Sequence, residues 1–165
     1  NIMDYLDDRF SLHLYLMKRS SPKNYIKLKK LAEGKRNKQI HFYKPLPMQE
    51  IAQGTNEYDL GLYCYPESSD NITHSLGNKI FEYVQARLGV IATPLPQASK
   101  MVEKFGIGTV SDDYTPQAIA ETINSLSADD IAGFKLESEK NSLKLSAEPN
   151  RTILRGLVNQ VLSQS

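Results

Sequence analysis

Short apolar runs alternate with amphipathic helical segments along most of the chain, and this alternation restricts the fold more than any other feature. The clearest part is residues 74–110, where a polar loop precedes a helix, a buried strand at 90–93, a second helix and a short strand. Alternating strands and helices predict a parallel sheet with helices on both faces. We therefore expect an α/β fold with a doubly wound parallel sheet and extra C-terminal helices.

The same patterns set the predicted boundaries. Strands are predicted at residues 12–17, 40–43, 60–65, 90–93 and 107–110. Helices are predicted at 2–10, 21–34, 48–53, from 78, at 97–105, 115–126, from Ser127, and at 149–164. Thr115 and Ser127 are predicted caps at helix starts, and Gly106 a helix stop. Residues 135–148 are polar with scattered leucines and are left open between a weakly ordered connection and an exposed helix.

Composition indicates one soluble domain over residues 1–165. The chain is 40% hydrophobic without a long apolar run, which predicts a real core and no membrane span. Its single cysteine, Cys64, lies in a strand pattern and is expected to be a buried thiol in a reducing compartment. The chain opens with Asn1 and shows no targeting peptide, so we expect a piece of a longer protein.

Charge is unevenly distributed. Residues 1–44 contain eleven basic and four acidic residues, whereas the remainder contains nine and fifteen. An acidic partner would be drawn to the basic third, but Lys27, Lys29 and Lys30 fall on the outer face of a helix whose inner face is Tyr25, Leu28, Leu31 and Ala32. A solvated helix face is the favoured interpretation. No nucleic-acid motif is present, so no nucleic-acid partner is expected.

A glycine, a lysine and a carboxylate are grouped where the helix from residue 78 begins. Gly77 would let a ligand approach the backbone, and the free N–H groups of the first turn attract an anion. Lys79 adds positive charge, and Glu82 could accept two hydrogen bonds from the vicinal hydroxyls of a ribose. The pattern is typical of a nucleotide diphosphate site. From spacing alone, a solvated lysine and glutamate are equally compatible with it.

Parallel sheets bind ligands beyond the carboxyl ends of their strands. The loops that follow residues 43, 65 and 93 would share that edge with the helix starts. We therefore expect a crevice formed by several polar side chains from separate segments, namely Lys44, Glu67, Ser75, Gly77, Asn78, Lys79 and, as a further candidate, Thr93.

The order of motifs resembles a known family. QIHFYKPLPMQEI, EYDLGLYCYP, SLGNKIFEYVQARLGVIATP, KFGIGTV and YTPQAIAETINSL are similar to the C-terminal, donor-binding domain of GT-B-fold glycosyltransferases, particularly the bacterial group 1, retaining type. The resemblance covers residues 12–126 and is strongest in NKIFEYVQARLGVIATP. It implies that Glu82 binds the ribose hydroxyls and that residues 44–47 lie near the nucleobase. It also implies that Ser75, Gly77, Asn78 and Lys79 hold the diphosphate and donor sugar.

The resemblance also implies what the chain acts on. A nucleotide diphosphate sugar would be the donor substrate, with no metal or other cofactor, and a glycan or lipid-linked molecule the acceptor. Two parts of such an enzyme are absent from these residues: the domain's usual first strand and the N-terminal acceptor domain. The fragment alone is therefore expected to be inactive. A cytoplasmic protein is implied, with peripheral association at the inner face of the membrane left open.

One departure keeps alternatives open. Many relatives carry a second glutamate eight positions before the ribose glutamate, and this chain has His74 there. A non-catalytic nucleotide-sugar-binding module and a sugar epimerase of the same fold remain alternatives. A phosphoacceptor receiver domain has the same alternation, but its aspartate would end the middle strand, where this chain has Tyr65 and Pro66.

Overall fold

The computed structural model describes residues 1–16, 22–32, 39–66 and 76–162, in which strands and helices alternate. The strands are β1 (Leu12–Tyr15), β2 (Ile40–Tyr43), β3 (Leu60–Tyr63), β4 (Gly89–Ala92) and β5 (Gly108–Val110). The helices are α1 (Pro22–Ala32), α2 (Ile51–Thr55), α3 (Asn78–Gln85), α4 (Pro96–Phe105), α5 (Pro116–Asn124), α6 (Ala128–Asn141) and α7 (Glu148–Leu162). Two 3-10 turns, Ile2–Asp4 and Met48–Glu50, complete the order.

All strand pairs in the described residues are parallel, but they form two ladders. β1 pairs with β2, with Leu12 opposite Ile40. β3 pairs with β4 and β4 with β5, so β4 is the centre of a three-stranded ladder. Parallel neighbours require a crossover, which α1, α3 and α4 supply. The predicted α/β fold with parallel strands is confirmed, whereas the division into two ladders was not predicted.

The core lies on the two faces of β4, whose four residues are all buried. Successive side chains of a strand point to opposite faces, so Val90 and Ala92 face one cluster and Ile91 the other. The first core, formed with α3 and α4, includes Tyr63, Ile80, Val84, Ala98 and Val102. The second core, formed with the first 3-10 turn and α5, includes Met3, Leu6, Ile119, Ala120 and Ile123.

Three helix ends carry the capping signals that the sequence shows. The Thr115 hydroxyl accepts the Ala118 N–H at 3.2 Å at the start of α5. Ser127 and Asp130 form a capping box at the start of α6. Gly106 ends α4 with a φ of 61°, in the left-handed region that favours glycine. These predictions are confirmed.

The predicted helix at residues 2–10 was wrong beyond its first turn. Only Ile2–Asp4 is helical, because residues 7 and 9 bond to the end of α5 and to the chain just after it. The Asp7 N–H donates to Asn124 Oδ1 at 3.0 Å, and Arg9 Nη2 donates to the Leu126 carbonyl at 2.8 Å. Tertiary contacts therefore override the local helical pattern.

Other boundaries differ less. β3 ends at Tyr63 instead of residue 65, and α6 includes the first half of the segment 135–148 that was left open. Leu28, predicted for the inner face of α1, is 39% exposed. The predicted ends at residues 17, 21, 34 and 164, like Glu67 and His74, lie outside the described residues.

In the described parts, no helix has the length and apolar content needed to span a bilayer.

Cys64 is half-buried, not fully buried as expected, and it is a free thiol. Its S–H donates to the Ile91 carbonyl, with 3.7 Å between sulfur and oxygen. Burial raises the pKa of the Cys64 thiol to about 12. The thiol is therefore protonated and unreactive at neutral pH.

Candidate functional site

Gly77 is anchored at the carboxyl end of β3. Its N–H donates to the hydroxyl of Tyr63, the buried last residue of that strand, at 2.7 Å. A Cβ at residue 77 would lie 2.9 Å from the same oxygen, so the close approach requires glycine. The contact fixes the start of α3 beside the strand end.

Helix α3 begins immediately after Gly77, which is its N-cap residue. Glycine has no side chain with which to accept the N–H groups of the first turn. The positive end of the helix macrodipole therefore lies at the edge where β3 ends. This is the position at which α/β sheets bind anionic groups.

Lys79 and Glu82 lie one turn apart on α3 and form an ion pair, with Nζ and Oε2 separated by 2.5 Å. The Lys79 side chain is 53% exposed and the Glu82 side chain 24%. Partly exposed pairs of this kind contribute only about 0.2–1 kcal/mol to stability. Either side chain can therefore exchange its partner for a polar ligand at small cost.

Both side chains border a cleft of about 560 Å³ between β1 and β3. Its lining comes from both strands, from the chain before β1 and from α3. The residues include Leu12, His13, Leu14, Tyr15, Leu60, Gly61, Leu62, Leu6, Phe10, Lys79, Glu82 and Tyr83. Lys79 and Glu82 thus face a cleft, which favours a ligand role over a purely solvated one.

Tyr83 is a cleft residue that sequence reasoning missed. Its ring packs against Gly61, where a Cβ would lie 2.3 Å from Tyr83 Cγ, and its hydroxyl donates to the Leu62 carbonyl at 3.1 Å. Burial raises the pKa of Tyr83, so the phenol stays protonated. The spacing from Lys79 to Tyr83 places both on one helix face, and that signal could have identified Tyr83.

A cluster of five aromatic rings was also missed. It consists of His13, Tyr15, His41, Tyr43 and Tyr58. His13 stacks on His41 with ring centroids 4.6 Å apart, and Tyr15 stacks on Tyr43 at 4.9 Å. The Tyr15 and Tyr58 hydroxyls share a hydrogen bond of 2.8 Å. Rings at alternate residues of two strands share a face, and this period was the available signal.

Partial burial, followed by the nearby His41 ring, lowers the pKa of His13. The ring is therefore neutral at pH 7, with Nε2 bonded to the Ser11 hydroxyl at 2.9 Å and Nδ1 to the Tyr43 hydroxyl at 3.1 Å. Burial, followed by the hydrogen bond shared with Tyr15, raises the pKa of Tyr58. The cluster is a polar aromatic surface beside the cleft, which His13, Tyr15 and Tyr58 line.

The remaining predicted residues are distributed as follows. Gly77, Asn78, Lys79 and Glu82 lie together at the start of α3, with Asn78 exposed. Lys44 is exposed after β2 and does not line the cleft. Ser75 lies outside the described residues. In the described residues, no group of three or more His, Cys, Asp and Glu side chains is placed to hold a metal ion.

Thr93, the further candidate, is a structural residue. It is fully buried, and its hydroxyl accepts the Tyr65 N–H at 3.1 Å and donates to the Tyr65 carbonyl at 3.0 Å. Both bonding roles of the hydroxyl are occupied by the protein's own backbone. Thr93 therefore links the segment that follows β4 to the segment that follows β3 through hydrogen bonds to Tyr65.

Comparison with known proteins identifies the type of fold. The chain has a glycosyltransferase-like α/β fold, the Rossmann-like half of a GT-B architecture. It is similar to the crystal structure of WaaG, a glycosyltransferase involved in lipopolysaccharide biosynthesis, with a TM-score of 0.58 and 13% sequence identity over 92% of the chain. The chain spans 40% of the length of that neighbour. No family model matches, and no curated protein gives a significant match.

Proposed function

We propose that the chain is the donor-binding half of a glycosyltransferase and binds a nucleoside diphosphate sugar at the start of α3. One observation carries the proposal: Lys79 and Glu82 border a cleft at the glycine-capped start of a helix, where a parallel strand ends. The glycosyltransferase-like fold supports it. The proposal includes the type of enzyme, a group 1, retaining glycosyltransferase. Its acceptor would be a glycan or lipid-linked molecule, and another domain would bind that acceptor.

The two charged side chains would contact different parts of the donor. Lys79 would contact the diphosphate together with the N–H groups of the first turn. Negative charge grows on the leaving diphosphate when the bond from the anomeric carbon breaks, so these groups stabilise the transition state more than the ground state. Glu82, the more buried partner, would accept hydrogen bonds from the ribose hydroxyls. Because Lys79 and the helix supply the positive charge, the proposal includes no cofactor.

Ser75, Asn78 and Lys44 are secondary members of the proposed site. Asn78 is the first residue of α3 and carries one of the first-turn N–H groups. Ser75 precedes the helix by a few residues in the sequence. Lys44 follows β2 and is proposed to lie near the nucleobase.

The test separates the phosphate contact from the ribose contact. Calorimetry with the full-length polypeptide would first find which of UDP, GDP and ADP, with their sugars, binds. Lys79→Gln is then expected to weaken binding of the nucleoside diphosphate about 10- to 100-fold, since a charge-assisted hydrogen bond is worth about 1.5–3 kcal/mol. The corresponding nucleoside, which lacks phosphate, should bind Lys79→Gln as it binds the unmodified protein.

The chain offers a matched control. Lys140 and Glu137 on α6 also form an exposed ion pair one turn apart, with 2.6 Å between Nζ and Oε1. Lys140→Gln removes the same charge from a pair outside the cleft. Equal losses of diphosphate affinity in Lys79→Gln and Lys140→Gln would show a general charge effect and would refute the proposed site.

A further inference from the structure

Helix α1 presents a row of lysines to solvent. Lys23, Lys27 and Lys30 recur at intervals of four and three residues, so they lie on one face of the helix, which we call the basic face. All three are exposed, and the sequence of α1 contains no acidic residue. In the part of the chain that the structure describes, none of the three forms an ion pair. The positive charge of this face is therefore uncompensated.

An apolar side chain lies at the centre of the basic face. Ile26 is three residues after Lys23 and four before Lys30, and 55% of its surface is exposed. The helix packs on the protein through its other side, where the Tyr25 ring meets Phe42 of β2 edge-on with centroids 6.4 Å apart. Ile26 therefore points away from the core, and a basic face that only meets water does not account for it.

The charge of α1 is part of a larger cationic segment. Residues 17–38 contain nine basic residues and one acidic residue, whereas the rest of the chain contains eleven and eighteen. Lys29 is the lysine of α1 that turns to the protein, since its Nζ lies over the rings of Tyr25 and Phe42 at 5.6 and 5.9 Å. The lysines of the basic face extend outward instead, and they favour an anionic partner.

We propose that the basic face of α1 docks on an anionic phospholipid surface, with its lysines at the lipid phosphates and Ile26 inserted between the headgroups. Basic amphipathic helices bind in the plane of such a surface, where charge attraction and burial of apolar side chains act together. No residue of α1 lines the cleft, so docking leaves the cleft open. The inference does not rest on the proposed function.

Charge complementarity requires an anionic partner, and Ile26 selects a lipid surface among such partners. A nucleic acid would contact the lysines through its phosphates and would gain little from the isoleucine. A lipid layer gains from both kinds of side chain. Lysine also suits a fluid layer of headgroups, because its ammonium group is a flexible point charge that needs no fixed bonding geometry.

Binding to vesicles tests the proposal with the unmodified full-length polypeptide. Vesicles of equal parts phosphatidylglycerol and phosphatidylcholine should bind the protein at about 0.1 M salt, and phosphatidylcholine vesicles at least about 100-fold more weakly. Binding should weaken in about 1 M salt, where the Debye length falls from about 10 Å to about 3 Å. Equal binding to both vesicles, or to neither, would overturn the proposal. Complete competition by glycerol phosphate at equal phosphate concentration would overturn it in favour of a soluble phosphate ligand.

Two variants that remove the same charge locate the surface. The first carries Lys23→Gln, Lys27→Gln and Lys30→Gln, and the control carries substitutions of exposed lysines elsewhere, Lys100→Gln, Lys104→Gln and Lys144→Gln. Each lysine near an anionic surface strengthens binding about 5-fold, so the first variant should bind the mixed vesicles about 100-fold more weakly. The control should bind close to the unmodified protein. Equal losses in the two variants would show a diffuse charge effect and would overturn the proposal.

Ile26→Ala separates a lipid surface from other polyanions. It should weaken binding to the mixed vesicles about 10-fold, because the apolar side chain no longer inserts, and alanine keeps the helix favourable. Leu136→Ala, at a residue of α6 that is 54% exposed, is the matched control and should leave binding unchanged. Unchanged binding of Ile26→Ala would overturn the proposal. Binding of a DNA duplex as tight as that of the vesicles, at equal phosphate concentration, would assign the face to nucleic acid and would also overturn it.

A label at residue 26 shows whether the face itself touches lipid. A fluorophore on Ile26→Cys, in a background without other reactive cysteines, should be quenched by nitroxide-labelled lipid in the mixed vesicles. The same fluorophore on Leu136→Cys should not be quenched. Equal quenching at both positions, or none at residue 26, would overturn the proposal. These measurements do not involve nucleotide, so their failure and the failure of the proposed function are distinguishable.

Discussion

Gly61→Ala is expected to destabilise the fold through Tyr83. The added Cβ would lie 2.3 Å from Tyr83 Cγ and 2.6 Å from both Cδ atoms, far inside van der Waals contact. The ring cannot move freely, because its hydroxyl is bonded to the Leu62 carbonyl and the side chain is largely buried. Overpacking of this kind costs about 1–3 kcal/mol. Thermal unfolding should therefore shift down by about 2–4 °C for each kcal/mol.

Two companion variants make this prediction specific. Gly133→Ala, in the exposed part of α6 where nothing lies within 4 Å of the added Cβ, should stabilise by about 0.5–1 kcal/mol. In a Tyr83→Ala background, Gly61→Ala should cost close to nothing, because the clashing ring is absent. Equal costs in the two backgrounds, or no cost in the unmodified one, would refute the assigned contact between Gly61 and Tyr83.

The remaining predictions concern three other sites. Cys64, with its pKa near 12, should react with thiol reagents at pH 8 about a thousandfold more slowly than in the unfolded chain; reaction at the unfolded rate would contradict its burial. Thr93→Val should cost about 1–3 kcal/mol by orphaning the Tyr65 backbone groups while leaving nucleotide affinity unchanged in calorimetry; lost affinity at full stability would return Thr93 to the site. Hydrogen bonds from Ser127 lower the pKa of Asp130, so this stabilisation is present above the ordinary value of 3.8 and is lost as pH falls through the lowered pKa. Ser127→Ala should remove about 1 kcal/mol at pH 7. It should also reduce this acid dependence, leaving the part that comes from the backbone N–H of residue 127. If urea unfolding shows the same loss of stability at acid pH in both proteins, the Ser127 hydroxyl is excluded as a source of it.

Elements with local signals could be predicted from the sequence. The start of α6 follows from the spacing of Ser127 and Asp130, and the end of α4 from Gly106, because each signal acts within one helical turn. β2 was predicted at its observed bounds, since Pro45 and Pro47 follow it closely. Such signals are independent of the rest of the fold.

Features that depend on distant contacts could not be predicted. The 3-10 turn at Ile2–Asp4 continues as an irregular segment because Asn124, far away in sequence, accepts the Asp7 N–H. The ring of Tyr83 lies in the cleft because Gly61 leaves space for it, and neither residue alone indicates the pair. The division into two ladders likewise depends on which strands are neighbours.

For the candidate site, the sequence placed the helix start and its charged residues but not their surroundings. The predicted grouping of Gly77, Lys79 and Glu82 is present in the structure, and its exposure to a cleft follows from the position of β1, a separate segment. Lys44 was expected at the same crevice because it follows a strand. That strand belongs to the other ladder, and Lys44 does not line the cleft.

The central claim is that Glu82 binds the ribose hydroxyls of a nucleotide. The most direct test removes the carboxylate and the hydroxyls, separately and together. Calorimetry would compare a nucleoside diphosphate with its 2′,3′-dideoxy form, on the unmodified full-length polypeptide, on Glu82→Gln and on the control Glu137→Gln. Removing the hydroxyls is expected to weaken binding about 10- to 100-fold in the unmodified protein and in the control, but by much less in Glu82→Gln, because the carboxylate contact is already lost. Equal losses in all three proteins would contradict the assignment of the start of α3 as a nucleotide site.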